Sequence, residues 1–189
     1  LSASAMTWRW MTRFVCLGRE EAERELNQLA STDSLTGLLN RRAFAEGTRE
    51  AMAATERHPQ AMALLLIDLD SFKRINDEHG HVRGDQALKL VAEVLQAQRR
   101  GGDLVARHGG EECCVLLRHA GAEEGRAFDA RLRTALRQAA LNQLGFALNF
   151  SSGLAVWRAV PTNLEDWLQQ ADQAMYQAKA EGRGQIRVL

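Results

Sequence analysis

Two glycines followed at once by two acidic residues stand near the middle of the chain. Gly109 and Gly110 can adopt the positive φ angles of a tight turn, so the sequence predicts a hairpin with Glu111 and Glu112 at the start of its second strand. Carboxylates at a strand end cost free energy unless they meet a cation or water. The stretch is therefore either a solvated hairpin tip or an acidic site for a metal, an Arg or a Lys.

A second acidic pair, Asp68 and Asp70, ends an apolar run over residues 61–69. Such a run predicts a buried central strand with acids at its carboxyl end. If this strand lies beside the hairpin, Asp68 and Glu111 come within reach of one shared divalent cation. Oxygen ligands of this kind suit Mg²⁺ or Mn²⁺, as in phosphoryl-transfer enzymes. The alternative is that the two aspartates only cap the turn that follows.

Composition limits the class of protein. The 189 residues include 24 basic and 24 acidic side chains, so no net field favours binding to a nucleic acid polymer. Cys113 and Cys114, two of the three cysteines, fit neither a disulfide framework nor a zinc site, which indicates a reducing cytoplasm. No apolar run reaches the roughly 18 residues of a membrane span, and no signal peptide is visible. Because the chain begins at Leu1, we expect it to be part of a longer protein.

Helices and strands alternate along the rest of the chain. Residues 1–30 combine an aromatic, basic segment with a strong helix former, which predicts a signalling stalk or a simple capping helix. Residues 31–189 form the main domain, an α/β or α+β fold with helices on the faces of a mixed sheet. We expect helices over about 40–58, after Gly84, over 123–140 and over 164–180, a short helix or turn over 72–79, and strands over 61–69, 147–157 and 185–189.

A series of motifs, all in order, resembles the GGDEF domain, the diguanylate cyclase family. The similarity runs from about Asp33 to Val188, which is nearly the whole chain after its first segment. It implies a palm-like nucleotide cyclase fold with the signature motif on the β-hairpin. The motifs are Asp33-Ser34-Leu35-Thr36-Gly37-Leu38-Leu39-Asn40-Arg41-Arg42, Ile67-Asp68-Leu69-Asp70-Ser71-Phe72-Lys73-Arg74-Ile75-Asn76-Asp77, Gly80-His81 with Gly84-Asp85, Arg107-His108-Gly109-Gly110-Glu111-Glu112, and Ala171-Asp172 with Tyr176, Ala178-Lys179 and Gly182-Arg183.

The resemblance implies an enzyme that condenses two GTP molecules into cyclic di-GMP and two pyrophosphates. Asp68, the backbone carbonyl of Leu69 and Glu111 would hold Mg²⁺, or Mn²⁺, against the triphosphate. Glu111 would also help to deprotonate the attacking ribose 3′-hydroxyl, and Glu112 would be a ligand of a second metal ion. Since each protomer binds one GTP, catalysis would need a head-to-head homodimer, which an upstream sensor domain would bring together.

Asn76 and Asp85 match the guanine-reading positions of the family. A carboxylate accepts hydrogen bonds from N1–H and the N2 amino group of guanine, whereas adenine presents an acceptor at N1. Asp85 therefore favours GTP over ATP. The alternative for Asp85 is an N-cap of the helix that follows Gly84.

Contacts to the phosphates are implied at three further places. Lys73 and the backbone amides around Phe72 would cradle the phosphates at the start of the short helix. Lys179 and Arg183, one helical turn apart if the helix persists, would bind the triphosphate, although without the motif they would be a solvated basic face. Arg107 would stabilise a phosphate or a neighbouring acid.

Arg100 and Asp103 fit the RxxD motif of the family's inhibitory site, where the product cyclic di-GMP binds. An arginine pairs with phosphate or stacks on guanine, and an aspartate accepts from guanine N1–H. We therefore expect product inhibition.

Cys113 departs from the family pattern, since it stands where the motif usually ends in Phe and gives GGEEC. Alternation along a strand puts Cys113 on one face and Cys114 on the other. Loss of the aromatic side chain, worth about 1–3 kcal/mol of packing, is expected to lower activity rather than abolish it. The alternatives are a degenerate domain that only binds nucleotide or dimerises, and a reactive role for either thiol. The aromatic segment around Trp8 makes a tether to the inner membrane a further alternative.

Overall fold

The structure, a computed structural model, describes residues 31–157 and 163–189, apart from the side chains of residues 56 and 57. The predicted stalk over residues 1–30 lies outside the described residues. Within them, Thr32–Leu189 forms one compact unit, and none of its helices is long and apolar enough to cross a membrane. The elements are α1 (Arg41–Arg57), β1 (Met62–Leu69), α2 (Phe72–His79), α3 (His81–Gln98), β2 (Leu104–Arg107), β3 (Glu112–Arg118), α4 (Ala122–Leu144), β4 (Phe150–Val156), α5 (Leu164–Ala180) and β5 (Ile186–Val188).

The strands form one mixed sheet in the order β2-β3-β1-β4-β5. The pairs β2–β3, β3–β1 and β1–β4 are antiparallel, and β4–β5 is parallel. Every residue of β1 is buried, as its apolar run predicts for a strand with neighbours on both edges and helices on both faces. The prediction of a mixed sheet flanked by helices, with the Gly-Gly motif on a hairpin, is confirmed.

Alternate residues of β1 belong to two separate cores. Leu65 and Ile67 pack with apolar residues of α3 and α4 on one face of the sheet. Leu64 and Leu66 pack on the other face, in a cluster to which α1 and α5 contribute, the latter with Trp167. Because side chains alternate across a strand, the last residues of β1 are also divided between these faces.

Local capping explains where the helices of the second face begin. The Asn40 side chain accepts a hydrogen bond from the Ala43 amide at the start of α1, and Asn163 accepts one from the Asp166 amide at the start of α5. The expected bounds of both helices are confirmed to within a residue or two. The structure extends the expected helix over 123–140 to Leu144, and it starts the expected strand over 147–157 only at Phe150.

Two details of the sequence interpretation are wrong. Helix α3 begins at His81, after Gly80 with φ 82°, so Asp85 lies in its second turn and is not an N-cap. Helix α5 ends at Ala180, and Arg183 follows with φ 62°, so Lys179 and Arg183 are not one turn apart on a continuous helix. In both cases a backbone with positive φ sets the helix boundary, and propensity alone does not show it.

Gly153 in β4 allows α5 to lie directly on the sheet. A Cβ atom at this position would stand 1.9 Å from the Ala171 carbonyl oxygen and 2.3 Å from the Met175 amide nitrogen, both backbone atoms of α5. The backbone of a packed helix cannot yield as a flexible side chain can. The absence of a side chain at residue 153 therefore sets the distance between the sheet and the helix that carries Lys179.

We expect Gly153→Ala to lower the free energy of unfolding by about 3 kcal/mol or more, because α5 must move off the sheet. Denaturant unfolding followed by circular dichroism measures this. Gly101→Ala is the matched control, since a Cβ atom at that exposed turn meets nothing within 4 Å. Equal unfolding midpoints for the two variants would contradict the close packing.

Candidate active site

Two carboxylates face each other at the end of the central strand. The antiparallel register of β1 and β3 pairs Asp68 with Glu112, so their side chains lie on the same face of the sheet. Asp68 is 8% exposed, and its Oδ2 atom lies 3.0 Å from Nζ of Lys179, which α5 brings to this point. One acid of each predicted pair thus meets the other at this strand end, and the ammonium group of Lys179 contacts Asp68.

Negative charge exceeds positive charge around this pair. Burial raises the pKa of Glu112 above its usual range, and the charge of Asp68 raises it further, while Lys179 lowers it and Asp172 and Glu111 add to the increase. The described residues hold no ready-made group of three metal-ligating side chains. Mg²⁺ fits such a site, because it is commonly held by one or two carboxylates with substrate phosphates completing its shell.

Glu111 lies just before β3, at the turn. Its backbone carbonyl accepts a hydrogen bond from the Leu69 amide at 3.3 Å, so the end of β1 and the turn are held together. The strand register places Glu112, rather than Glu111, opposite Asp68. The sequence predicted that Glu111 lies beside Asp68 and that Glu112 is a ligand of a second metal ion; the structure places Glu112 directly opposite Asp68.

Arg107 holds the Gly-Gly turn in place. Its Nη1 atom donates to both carboxylate oxygens of Asp33, at 3.1 and 3.2 Å. Its Nε and Nη2 atoms donate to the Gly110 carbonyl at 3.1 and 2.8 Å, and Nε also to the Gly109 carbonyl at 3.2 Å. Of the two roles expected for Arg107, the structure shows contact with a neighbouring acid.

Asp33 is the acid that Arg107 contacts, and the sequence analysis assigned it no role. Burial acts to raise its pKa, but hydrogen bonds from Thr36 and the guanidinium of Arg107 outweigh burial and leave the pKa below its usual range. Asp33 therefore stays ionised and braces the turn. The signal was the Asp-x-x-Thr spacing, in which the aspartate closes a local turn on Thr36.

The two residues expected to read guanine lie where α2 and α3 meet. Gly84 permits this, because a Cβ atom there would be 1.9 Å from Oδ1 of Asn76 and 3.3 Å from Cζ of Phe72. The side chain of Asn76 thus lies against the backbone of α3 one residue before Asp85, which is exposed. The close approach of the two helices brings together an amide and a carboxylate that are well separated in the sequence.

Helix α2 begins directly after the acidic end of β1 without a side-chain cap. Its N-cap residue is Ser71, with φ 57°, and among the described residues no side-chain cap accepts from its first-turn amides, which include those of Phe72 and Lys73. The alternative that the aspartates cap this turn is therefore wrong. Asp68 contacts Lys179, and Asp70 turns toward β4 and the C-terminal loop.

The expected inhibitory pair stands at the far end of the hairpin. Asp103 is 5% exposed, and its carboxylate accepts from the Arg100 amide at 2.9 Å and the Arg118 amide at 3.1 Å. Asp103 thus braces the start of β2 to the end of β3. A small pocket is lined by Arg100, Asp103, Phe128 and Arg131, the last being a residue of α4 that sequence reasoning did not select.

Cys113 and Cys114 are buried in the two separate cores, as strand alternation predicts. Burial raises the pKa of the Cys113 thiol to about 12 and the pKa of Cys114 well above its usual value. Since the thiolate is the reactive form, burial and the raised pKa both disfavour reaction at these thiols in the folded protein.

A mixed sheet with paired carboxylates at the end of its central strand, beside a Gly-Gly turn, defines the palm-like class of nucleotide cyclase folds. The family within that class follows from comparison with known proteins. The family model described as "Diguanylate cyclase, GGDEF domain" matches residues 30–185. The chain belongs to this family.

Individual relatives show how far the likeness extends. The chain is 39% identical over 163 residues to diguanylate cyclase DgcP of Pseudomonas aeruginosa, covering 85% of this chain and 24% of DgcP. It is 36% identical over 165 residues to cyclic di-GMP phosphodiesterase NbdA of the same species, covering 87% of this chain and 21% of NbdA. The crystal structure of the GGDEF domain of DgcB from Caulobacter crescentus in complex with c-di-GMP matches with a TM-score of 0.78 at 30% identity, covering 84% of this chain and 95% of that one. The chain thus spans a quarter or less of the two curated relatives.

We expect iodoacetamide at pH 8 to label Cys113 and Cys114 at least about 100-fold more slowly in the native protein than in urea, because burial withholds the thiolate. Mass spectrometry of the cysteine-containing peptide measures the rates. Unfolded protein is the internal control, since it carries the same thiols. Comparable labelling rates in the native and the unfolded protein would contradict the protection by burial and would support a reactive role for these cysteines.

Proposed function

We propose that this domain is a diguanylate cyclase that condenses two GTP molecules into cyclic di-GMP and releases two pyrophosphates. The observation that carries this proposal is the cluster of Asp68, Glu112 and Lys179 beside the Gly109-Gly110 turn. It combines acidic oxygen donors, a basic side chain and an approachable backbone, the groups that phosphoryl transfer requires. Membership of the GGDEF family supports the same reaction.

Substrate binding divides between two parts of the site. The uncapped amides at the start of α2, with Lys73, would receive the phosphates, and Lys179 and Arg183 would bind the triphosphate from the C-terminal side. Asp85 would accept hydrogen bonds from the guanine edge, and Asn76 lies close enough to α3 to read the same base. This arrangement favours GTP over ATP.

Mg²⁺, or Mn²⁺, held by Asp68, the Leu69 carbonyl and Glu111, would neutralise charge on the triphosphate. In each half-reaction the 3′-hydroxyl oxygen of one GTP forms a bond to the α-phosphorus of the other, and the bond to pyrophosphate breaks. Glu111 would accept the hydroxyl proton. Glu112, which lies opposite Asp68, would bind a second cation. Lys179 would leave Asp68 to meet the triphosphate.

Two protomers must face each other in this reaction, because one site holds one GTP and the product contains two guanosine units. We therefore propose a homodimer as the active form, with residues 1–30 or an upstream sensor domain controlling its assembly. The open approach to the turn supports this, since a Cβ atom at Gly110 would meet nothing within 4 Å. Activity per protomer should accordingly rise with protein concentration.

A degenerate domain that binds nucleotide without catalysis is the second candidate. The observation in its favour is Cys113, which fills a core position where the family usually has Phe. Since Cys113 is buried in the core and a role in metal binding or proton transfer is not assigned to it, we expect the substitution to affect packing of the hairpin rather than the chemistry. Binding of GTP without product at high protein concentration would favour this candidate.

We expect cyclic di-GMP to form from GTP with Mg²⁺, to be absent with ATP, and to fall at least about 100-fold in Glu111→Gln, which cannot accept the proton. Chromatography of the nucleotides measures the product, and chelation of the metal should abolish it. Glu93→Gln is the control, because Glu93 is an exposed acid on α3. Wild-type turnover in Glu111→Gln would contradict the assigned role.

Product inhibition through the RxxD pair is also part of the proposal. The pocket that Arg100, Asp103 and Arg131 share would bind cyclic di-GMP, with the arginines on phosphate or guanine. We expect Arg100→Ala to raise the inhibitory concentration of cyclic di-GMP at least about tenfold, as loss of a charged contact does. Inhibition assays at fixed GTP measure this, and Arg126→Ala, on the exposed side of α4, is the control. Unchanged inhibition in Arg100→Ala would contradict binding of cyclic di-GMP at this pocket.

A further inference from the structure

Asp70 stands two residues after Asp68 but belongs to a different network. Its Oδ1 atom accepts from the hydroxyl of Ser151 at 2.7 Å, and its Oδ2 atom accepts from the backbone amide of Gly184 at 3.0 Å. Its own amide donates to the Asn149 carbonyl at 2.9 Å. All of these partners are neutral, and both carboxylate oxygens are engaged away from the Asp68–Lys179 pair.

The loop that Asp70 contacts has an unusual backbone. Gly182, Arg183 and Gly184 follow one another with φ angles of 116°, 62° and 61°. For Arg183 a left-handed backbone is unfavourable, and such a conformation persists only when the surrounding contacts enforce it. Gly184 is also tightly placed, since a Cβ atom there would lie 2.6 Å from Nδ2 of Asn149.

Contacts from both sides enforce this conformation. On the side of α5, the Arg183 amide donates to the Ala178 carbonyl at 3.0 Å, and the Gln185 side chain donates to the same carbonyl at 3.1 Å. On the side of the sheet, the carboxylate of Asp70 accepts a hydrogen bond from the Gly184 amide of the loop backbone. Hydrogen bonds to an ionised acceptor are stronger than those between neutral groups.

We propose that Asp70 is a positioning residue that holds Arg183 where it can bind the triphosphate, acting through the Gly184 amide. This inference rests on the proposed function, which gives Arg183 its substrate contact. Arg183 itself is exposed, and among the described residues it forms no ion pair, so its side chain is available to a ligand. Its direction depends on the backbone of the loop, and Asp70 anchors that backbone to the end of β1, next to the first metal-binding residue.

The chemistry of the carboxylate suits this role. An ionised aspartate accepts from the hydroxyl of Ser151 and the amide of Gly184 at the same time. An asparagine is neutral; its oxygen can accept from the Gly184 amide while its NH₂ group donates to the Ser151 hydroxyl, which also accepts hydrogen bonds. Asp70→Asn therefore removes the charge from the anchor with almost no change in volume, so the hydrogen bond to Gly184 loses the strength that an ionised acceptor gives it. Ser151→Ala removes the other partner and leaves the Gly184 contact in place.

The experiment is a double-mutant cycle on affinity for α,β-methylene GTP, an analogue that binds without reacting, measured by calorimetry with Mg²⁺. We expect Arg183→Ala and Asp70→Asn each to weaken binding by about tenfold, and the double variant to be little weaker than Arg183→Ala alone. Amide hydrogen exchange should show faster exchange at Gly184 in Asp70→Asn, with β1 and α5 unchanged. Asp77→Asn, an exposed acid on α2, is the matched control and should bind as wild type.

The possible results distinguish the contact of Arg183 with the triphosphate from the positioning role of Asp70. If Arg183→Ala binds the analogue as tightly as wild type, the triphosphate contact of the proposed function fails, and this inference fails with it. If Arg183→Ala weakens binding but Asp70→Asn does not, only the positioning role is overturned. Additive losses in the double variant would also overturn it, because they would show that Asp70 acts independently of Arg183. Should Asp70→Asn not fold, the same cycle with Ser151→Ala decides, with a smaller expected loss that vanishes in the Arg183→Ala background.

Discussion

The candidate active site is organised around two carboxylates, Asp68 and Glu112, which face each other at the end of the buried central strand. The apolar run of β1 must lie in the middle of the sheet, and its continuation carries Asp68 into a place that is 8% exposed. Pairing with β3 then puts Glu112 opposite, so that burial and like charge together raise the pKa of Glu112. Such an arrangement is unfavourable by itself, and it persists because Lys179 reaches Asp68 at 3.0 Å. A site built in this way attracts cations, which is the property that the proposed Mg²⁺-dependent reaction needs.

The scaffold serves this cluster by fixing the backbones around it. Gly153 lets α5 lie against the sheet, which brings Lys179 within reach. Arg107 joins Asp33 to the carbonyls of the Gly-Gly turn, so that the turn keeps one conformation although glycine allows many. Asp70 performs the corresponding task for the loop at the end of α5. Charged side chains thus hold flexible backbone segments on each side of the acidic pair, which is how a site of this kind can be ready before substrate arrives.

The hairpin also connects the acidic pair with the proposed inhibitory site. Asp103 ties the start of β2 to the end of β3, and Arg107 stands at the other end of β2, where the turn begins. The paired strands β2 and β3 join the two ends of the hairpin, and their central residues are buried. Cys113 lies within this hairpin, so its smaller volume, compared with the Phe usual in the family, bears on how firmly the hairpin is held and not on the identity of the reacting groups.

The sequence by itself determined the element order, the buried central strand, the hairpin and the acids at both, because hydrophobic periodicity and turn residues act locally. It also determined the family, since the motifs occur in order along nearly the whole domain. Only the tertiary structure decided which acid faces which. Glu111 and Glu112 are neighbours in the sequence, so a shift of one residue in the pairing of β3 with β1 would exchange them. The observed register places Glu112 opposite Asp68. The contact of Asp33 with Arg107, the contact of Asp70 with Gly184 and the place of Arg131 in a pocket with Arg100 join residues distant in the chain, so local patterns do not show them. The helix boundaries at Gly80 and Arg183 follow from backbone with positive φ, which helix propensity does not show.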